Sequence, residues 1–124
     1  MSGGPNWAGN ECDSPVLIDT LHSADAAPSS VGVFFKQPMY YYLGHIAAFA
    51  APNATRLGIR TIASSPLASL QEATAFLTPD GAHVIVVVMN RAGSAHDVAI
   101  HVPPHYINVR MAAHSIRTFV ARAA

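Results

Sequence analysis

Apolar residues recur at helical spacing between residues 36 and 51. Pro38 fits the first turn of a helix, where its missing N–H is tolerated, and Pro52 ends the pattern. The apolar positions lie three and four residues apart and form one stripe: Met39, Tyr42, Leu43, Ile46, Ala47 and Ala50. The pattern therefore predicts one amphipathic helix.

After residue 52 the apolar pattern changes to a period of two, which is typical of half-buried strands. Leu57–Thr61 and Glu72–Thr78 alternate, and the continuously apolar stretch His83–Met89 predicts a central strand that is covered on both faces. Three more strands are predicted, at Val98–Val102, Tyr106–Met111 and Ser115–Arg122. Short strands separated by Gly- and Pro-containing turns predict a β-sandwich.

The first 34 residues are rich in turn formers, so the sequence predicts loops there. Val16-Leu17-Ile18 is a short apolar patch between loops, and residues 21–32 have the composition of a solvated insertion. A single helix followed by strands leaves the apolar stripe of the helix without a partner. We therefore expect the chain to be part of a larger protein.

The composition points the same way, because 51% of the 124 residues are hydrophobic and 11% are charged. Soluble domains are about 25% charged on average, so part of this surface is expected to be covered by something outside the chain. The formal net charge is zero and no basic patch is present, which argues against nucleic-acid binding. The lone cysteine, Cys12, excludes an intrachain disulfide.

The sequence shows no recognisable signal peptide or membrane-spanning segment. Met1–Trp7 has neither the basic nor the apolar region of a signal peptide, and the longest apolar run is far too short to span a bilayer. Taken literally, the chain is expected to stay in the cytosol, an expectation that fails if the true N-terminus lies upstream.

Few residues have the spacing of a catalytic, metal-binding or modification motif. His101 and His105 are four apart, but Pro103-Pro104 between them precludes a helical pair of ligands, so we expect no metal and no cofactor. His45 is expected to be a partly buried structural histidine. Asn53-Ala54-Thr55 matches the N-glycosylation acceptor pattern, and Asn53 is a candidate for that modification in a secreted protein.

Three stretches together carry a resemblance. They are Gly3–Asn10 with Asp13-Ser14-Pro15 after it, Phe35–His45, and Pro79-Asp80-Gly81 followed by Val84–Arg91. Their order and spacing resemble the C-terminal end of the glucosylceramidase-type β-glucosidases of glycoside hydrolase family 30. The resemblance covers nearly the whole chain, weakening over residues 21–33 and after Ala92.

The resemblance implies a mainly β fold, in which the C-terminal part of a β-sandwich follows the last loop and helix of a (β/α)8 barrel. On that map, residues 1–51 are the end of the barrel with an active-site loop, and residues 52–124 are the C-terminal β-sandwich domain. Active sites of such barrels lie on loops that follow the strands.

The family's pocket asparagine maps onto Asn10, whose amide can hydrogen-bond two sugar hydroxyls, and Trp7 lies near the same rim. Two alternative interpretations remain. Asn10 could hydrogen-bond only the backbone of its own loop, and Trp7 could contribute to packing without contacting substrate. Retaining glycosidases need two carboxyl groups, which in this family are glutamates on earlier barrel strands. Glu11 and Glu72 match neither motif, so the resemblance implies no catalytic residue in this chain and an inactive chain when alone.

The resemblance implies a full-length enzyme that hydrolyses glucosylceramide or another β-glucoside with retention of configuration. It also implies that this enzyme is lysosomal or secreted. Its implied partners are the missing barrel domain and, peripherally, membrane lipid. Two alternatives stay open, which are a stand-alone non-catalytic β-sandwich binding module and a truncated product that folds poorly. A sugar-binding module should display a row of exposed aromatics, and the sandwich half has only Phe76, Tyr106 and Phe119.

Overall fold

The computed structural model describes residues 14–18, 34–62 and 71–124 of the chain. The chain divides into two compact units, Met1–Gly44 and His45–Ala124. The described residues form eight strands and one helix, in agreement with the mainly β fold that the sequence predicts.

The first unit contains a short antiparallel strand pair. Strand β1 (Val16–Ile18) pairs with β2 (Phe34–Lys36), and Leu17 lies opposite Phe35. The prediction was wrong here, since it treated the first stretch as an apolar patch between loops and expected no strand at the second. Three residues are too few for a period-two pattern to be recognised, so the partner strand determines the conformation.

Helix α1 (Pro38–Ala47) begins in the first unit and ends in the second. Pro38 occupies the first helical position as expected, but the helix is shorter than the apolar pattern. After Ala47 the backbone turns, and the N–H groups of Phe49 and Ala50 both donate to the carbonyl of Ile46. No residue of α1 is buried, so its apolar side chains are exposed to solvent or half-exposed in the described part of the chain.

The second unit contains two antiparallel sheets. One has the strand order β3 (Thr55–Leu57), β4 (Gln71–Leu77), β5 (His83–Asn90) and β8 (Ser115–Arg122). The other consists of β6 (His96–Val102) and β7 (His105–Met111).

Most of these strands agree with the predicted bounds within two residues, and β3 is the exception. The prediction placed it at Leu57–Thr61, whereas β3 ends at Leu57, whose register partner is Ala75. Strand β4 continues beyond Ala75 to Gln71, but the residues after Leu57 do not pair with it, and Ile59 is 43% exposed. The chain therefore leaves the β3–β4 ladder at Leu57, before the apolar alternation ends.

The core lies between the two sheets and is centred on β5. Val84, Val86 and Val88 pack with residues from β6 and β7 in one cluster that also includes Ile100, Val102 and Met111. Ile85 and Val87 point to the opposite face of the same strand and are also buried, at 3% and 5% exposure. Strand β5 is thus central and covered on both faces, as its unbroken apolar run predicts.

Asn90 closes the core at the end of β5 and is 1% exposed. Its Nδ2 donates to the carbonyls of Ser94 (2.9 Å) and Ala112 (2.8 Å), and its Oδ1 accepts from the N–H of Ala92 (3.0 Å). One buried amide therefore joins the turn between β5 and β6 to the turn between β7 and β8, and it leaves neither of its polar ends unsatisfied.

Candidate functional site

The predicted sugar-binding residues, Asn10 and Trp7, lie outside the described residues. The structure does describe the residues that follow their segment in sequence, beginning with Ser14. The hydroxyl of Ser14 donates to the carbonyl of Val16 (3.0 Å), and the N–H of Gln37 donates to the carbonyl of Pro15 (2.9 Å). These bonds and the β1–β2 ladder tie the downstream end of the segment to the residue that precedes α1.

The first turn of α1 is fixed by local contacts. The N–H of Tyr40 donates to the carbonyl of Gln37 (2.9 Å), so Gln37 acts as the N-terminal cap residue of the helix. The ammonium group of Lys36 lies 4.7 Å from the centre of the Tyr40 ring, within cation–π range. Tyr40 also meets Tyr41 edge to face at 5.4 Å. The start of α1 is therefore held by both backbone and side-chain contacts.

The end of α1 is tied to the large sheet by His45, which is half-buried. Its Nδ1 lies 2.9 Å from Oγ1 of Thr118, and that hydroxyl lies 3.5 Å from the His45 carbonyl oxygen. Since a carbonyl can only accept, the hydroxyl donates to it when Nδ1 carries the proton. His45 is thus the partly buried structural histidine that the sequence suggested, and its partner is 73 positions away.

The described carboxylates are spread over the sandwich. Glu72 on β4 pairs with Arg91, and Asp97 on β6 pairs with Arg110 at 2.9 Å. All four side chains are more than half exposed, so these are surface ion pairs. Glu72 therefore serves the surface of the sandwich, which agrees with its mismatch to a catalytic motif.

The third described carboxylate, Asp80, organises the turn between β4 and β5. The Thr78 hydroxyl and the N–H of Ala82 both donate to Asp80 Oδ1, and these bonds hold the pKa of the carboxyl below its ordinary 3.8. Gly81 has a φ of 69°, which a glycine adopts without strain. The predicted turn chemistry of Pro79-Asp80-Gly81 is therefore present, with the carboxylate as its organising acceptor.

The histidine pair of the β6–β7 hairpin is divided between the two faces of that hairpin. The ring of His101 stacks on Tyr106 with 4.2 Å between ring centres, whereas His105 is the register partner of Val102. Neighbouring residues of a strand point to opposite faces, so the two imidazoles diverge. Among residues 14–18, 34–62 and 71–124, no three His, Cys, Asp or Glu side chains are grouped as metal ligands would be.

Asn53, the candidate glycosylation residue, lies in the turn between α1 and β3. It is exposed, and its φ is 68°, a left-handed conformation that asparagine tolerates better than most residues. The N–H of Ala54 donates to the carbonyl of Ala51 (3.0 Å), which closes the turn. Thr55, the third residue of the acceptor triplet, is exposed at the start of β3.

The sequence analysis missed one surface feature, on the outward side of the β6–β7 hairpin. A depression of about 380 Å³ there is lined by residues of both strands, namely Asp97, Val98, Ala99, Asn108, Val109 and Arg110. The signal was present in the sequence, because the polar positions of each strand alternate with the apolar ones and so share one face.

Comparison with known families assigns both halves of the chain to the same family. Residues 1–50 match the glycosyl hydrolase family 30 TIM-barrel domain, and residues 53–119 match the glycosyl hydrolase family 30 beta sandwich domain. The chain belongs to glycosyl hydrolase family 30, a family of glycoside-cleaving enzymes. This agrees with the resemblance carried by the sequence motifs and with the strand-rich second unit.

Among curated proteins, the lysosomal acid glucosylceramidase of Mus musculus is 34% identical to the chain over 121 residues. That match covers 97% of the chain and 21% of the mouse protein, so the chain spans about a fifth of the length of this relative. The glucosylceramidase type suggested by the sequence motifs is thereby supported along nearly the whole chain.

Two solved structures share the fold. SrfJ from Salmonella typhimurium superposes with a TM-score of 0.75 at 24% identity, covering 99% of this chain and 24% of that one. An endo-beta1,6-glucanase superposes with a TM-score of 0.61 at 15% identity, covering 71% of this chain and 18% of that one. The fold of the chain therefore recurs in known structures. In the described residues, no helix is both long and apolar enough to cross a membrane.

Proposed function

We propose that this chain supplies the C-terminal part of a glucosylceramidase, a retaining β-glucosidase that hydrolyses glucosylceramide to glucose and ceramide. The observation that carries the proposal is the 34% identity to a lysosomal acid glucosylceramidase over 97% of the chain. In this role, residues 1–51 complete the barrel with an active-site loop and its last helix, and residues 52–124 form the C-terminal β-sandwich domain.

Within that enzyme the chain binds substrate and stabilises the fold, and the two catalytic glutamates come from other barrel strands. A retaining mechanism needs two carboxyl groups about 5–5.5 Å apart. Glu72 is one of only two glutamates in the sequence, and it is engaged with Arg91 on the surface of the sandwich. The chain alone is therefore expected to be inactive.

The exposed apolar side chains of α1 support this role. Tyr41 is 58% exposed and Leu43 is 54% exposed, although both belong to a helix whose residues are mostly apolar. Burial of a leucine side chain contributes about 1.5–3 kcal/mol, so a covering surface would stabilise the helix considerably. In the proposed enzyme, the remainder of the barrel provides that surface.

The decisive experiment isolates the native protein with an antibody raised against residues 105–124 and assays it on glucosylceramide. We expect release of glucose, initially as the β-anomer detected by proton NMR, because retention preserves the anomeric configuration. The 124-residue chain produced alone serves as the comparison and should release none. A native protein that folds cooperatively at 13.1 kDa and hydrolyses no glucoside would favour the stand-alone β-sandwich binding module instead.

Asn10 is proposed to hydrogen-bond two hydroxyls of the glucose ring, and Trp7 to shape the wall beside it. Two lost hydrogen bonds of about 0.5–1.5 kcal/mol each would lower kcat/KM of Asn10→Ala by roughly 5- to 150-fold. Asn6→Ala, in the same segment, is the matched control and should leave kcat/KM nearly unchanged. Equal effects of the two variants would assign Asn10 to the loop structure.

The proposed enzyme acts in the lysosome or outside the cell and meets its lipid substrate by peripheral contact with the membrane. Passage through the secretory pathway would expose Asn53 to glycosylation, and its turn leaves both Asn53 and Thr55 exposed. The test compares the mass of the secreted protein before and after removal of N-glycans, with Thr55→Ala as the control that preserves the asparagine. An unchanged mass would exclude glycosylation at Asn53.

A further inference from the structure

Strand β3 is followed by five residues, Gly58–Ile62, that are all exposed and belong to neither a strand nor a helix. Ile62 is 79% exposed, and a Cβ placed on Gly58 would have no neighbouring atom within 4 Å. Within the described part of the chain, these five residues make no backbone hydrogen bond. The main chain of Gly58–Ile62 is therefore open to another protein that approaches it.

An exposed basic residue, Arg60, lies at the centre of this stretch. Exposed chain segments are the preferred sites of proteolytic cleavage, and an extended peptide can bind by adding a strand to its partner. Proteases of the trypsin type select a basic side chain because an aspartate lies in their specificity pocket. Gly58–Ile62 therefore offers such a protease both an accessible main chain and the side chain that it selects.

Most of the other basic residues are protected by regular structure. The chain has seven lysines and arginines, and all of them lie within the described residues. Cleavage inside a strand requires that the strand first opens locally, which makes it slow. Five of the seven lie in strands: Lys36, Arg56, Arg110, Arg117 and Arg122.

Two of these five, Lys36 and Arg122, end their strands, but the peptide bond that follows each is still held. The N–H of Gln37 donates to a backbone carbonyl at 2.9 Å, and the N–H of Ala123 donates to another at 3.0 Å. A protease would have to break these hydrogen bonds before it could bind the main chain in an extended conformation.

The remaining basic residue, Arg91, follows β5 and forms an ion pair with Glu72. The next residue, Ala92, is 2% exposed, and its N–H donates to Oδ1 of Asn90 at 3.0 Å. Among the bonds that follow a lysine or arginine in this chain, only Arg60–Thr61 combines two exposed residues with a position outside strands and helices.

We propose that the Arg60–Thr61 peptide bond is a processing site for an endoprotease of the trypsin type. Water adds across this amide, so that Arg60 gains a carboxylate and Thr61 an ammonium group, and no other reactant is needed. The proposal does not depend on glucosylceramidase activity, because it uses only the accessibility of this stretch and its basic side chain.

The cut would divide the chain between two strands that remain paired. Strand β3 lies before the cut and β4 lies after it, and the ladder between them ends at Leu57 opposite Ala75. Leu57 also packs against the hydrophobic core of the sandwich. We therefore expect the two pieces to stay together after cleavage, with β3 as a noncovalent tie in place of the covalent connection.

The test digests the complete protein briefly with trypsin under native conditions and blots the products with the antibody against residues 105–124. The first cut within residues 1–124 should give a fragment that begins at Thr61 and ends at Ala124, which mass spectrometry identifies. In size-exclusion chromatography this fragment should elute with the rest of the protein, and urea should separate the two. Separation without urea would contradict the tie through β3.

Substitutions at Arg60 test the site itself. Arg60→Lys keeps a basic side chain and should be cut at the same place, whereas Arg60→Gln should slow this cut by a factor of about ten or more. The matched control is Arg56→Gln, at an exposed position inside β3, which should leave the rate unchanged. A first cut after any other basic residue of the chain would overturn the proposal, as would a folded protein in which trypsin cuts no bond of this chain.

Discussion

Strand β5 and helix α1 are both strongly apolar elements, and the burial of their side chains differs completely. Five consecutive residues of β5, Val84–Val88, are buried, whereas α1 contains no buried residue. One face of β5 is covered by β6 and β7, which belong to the same unit. An apolar pattern therefore predicts that an element needs a cover, while the location of that cover depends on which segments the chain itself provides.

The largest expected difference is in stability, when a charged residue is introduced into β5 and, separately, into α1. Val86→Asp places a carboxylate in the core and should destabilise the protein by more than about 4 kcal/mol, both in the 124-residue chain and in the complete enzyme. Leu43→Asp on α1 should change stability by less than about 0.5 kcal/mol in the chain alone, because that side chain is exposed.

In the complete enzyme, by contrast, Leu43→Asp should cost roughly 2–4 kcal/mol if the barrel covers α1. Urea denaturation of both variants in both proteins gives the four values. A neutral effect of Leu43→Asp in the complete enzyme would mean that the helix stays uncovered, and the proposal for its role would fail.

A smaller loss is expected where β5 ends. Asn90→Ala leaves the N–H of the buried Ala92 without its partner, and a buried group left unpaired costs about 1–3 kcal/mol. We therefore expect a loss of about 1–3 kcal/mol in urea denaturation. Asn108→Ala, at an exposed position, should be within about 0.5 kcal/mol of the unmodified protein. Similar values for the two would contradict a linking role for Asn90.

The link between α1 and the large sheet is expected to contribute less. Thr118→Val keeps the shape of the side chain and removes the hydroxyl that meets His45, so the loss should be about 1 kcal/mol. Thr74→Val is the control, because Thr74 faces Val87 from β4 as Thr118 does from β8. If both substitutions lower the thermal midpoint equally, the effect belongs to the threonine position and not to the histidine bond.

The smallest expected effect depends on pH and concerns the turn that leads into β5. The pKa of Asp80 is lowered by the Thr78 hydroxyl and then by the Ala82 N–H, so ionised Asp80 favours the folded state. This contribution is present above the ordinary pKa of 3.8 and is lost as the pH falls through the lower folded-state pKa. Thermal midpoints of Asp80→Asn and the unmodified protein should therefore converge below pH 3.8. A constant difference across pH would show that the charge is not involved.

The comparison of β5 with α1 also shows how much the sequence can predict. The continuous run in β5 and the alternation in β8 predicted their bounds closely, because each pattern reflects burial along a complete strand. The pattern after Leu57 predicted a strand that continues to Thr61, but β3 ends at Leu57, since the extent of a strand depends on a partner distant in sequence, here Ala75, 18 residues away. Phe34–Lys36 was missed for the same reason.

The side-chain contacts that connect the elements could not be predicted from the sequence. The buried amide of Asn90 bonds to a residue 22 positions away, and His45 to one 73 positions away. No local pattern signals which polar residue will be buried between two turns. The predicted sugar contacts at Asn10 and Trp7 rest on the resemblance alone, because an asparagine in a loop has the same local signature whether it binds sugar or caps backbone.

The pairing of Ile18 with Phe34 has a consequence for protein engineering. The two residues are register partners, so both ends of the intervening stretch of sequence are clamped side by side on one short ladder. The sequence predicts a solvated insertion at residues 21–32, and lengthening a flexible loop between fixed ends costs only about 0.6 kcal/mol for each doubling. A peptide tag or a small reporter domain inserted between residues 19 and 33 should therefore leave the start of α1 where it is. The same clamp gives evolution a place to vary length without disturbing the helix that follows.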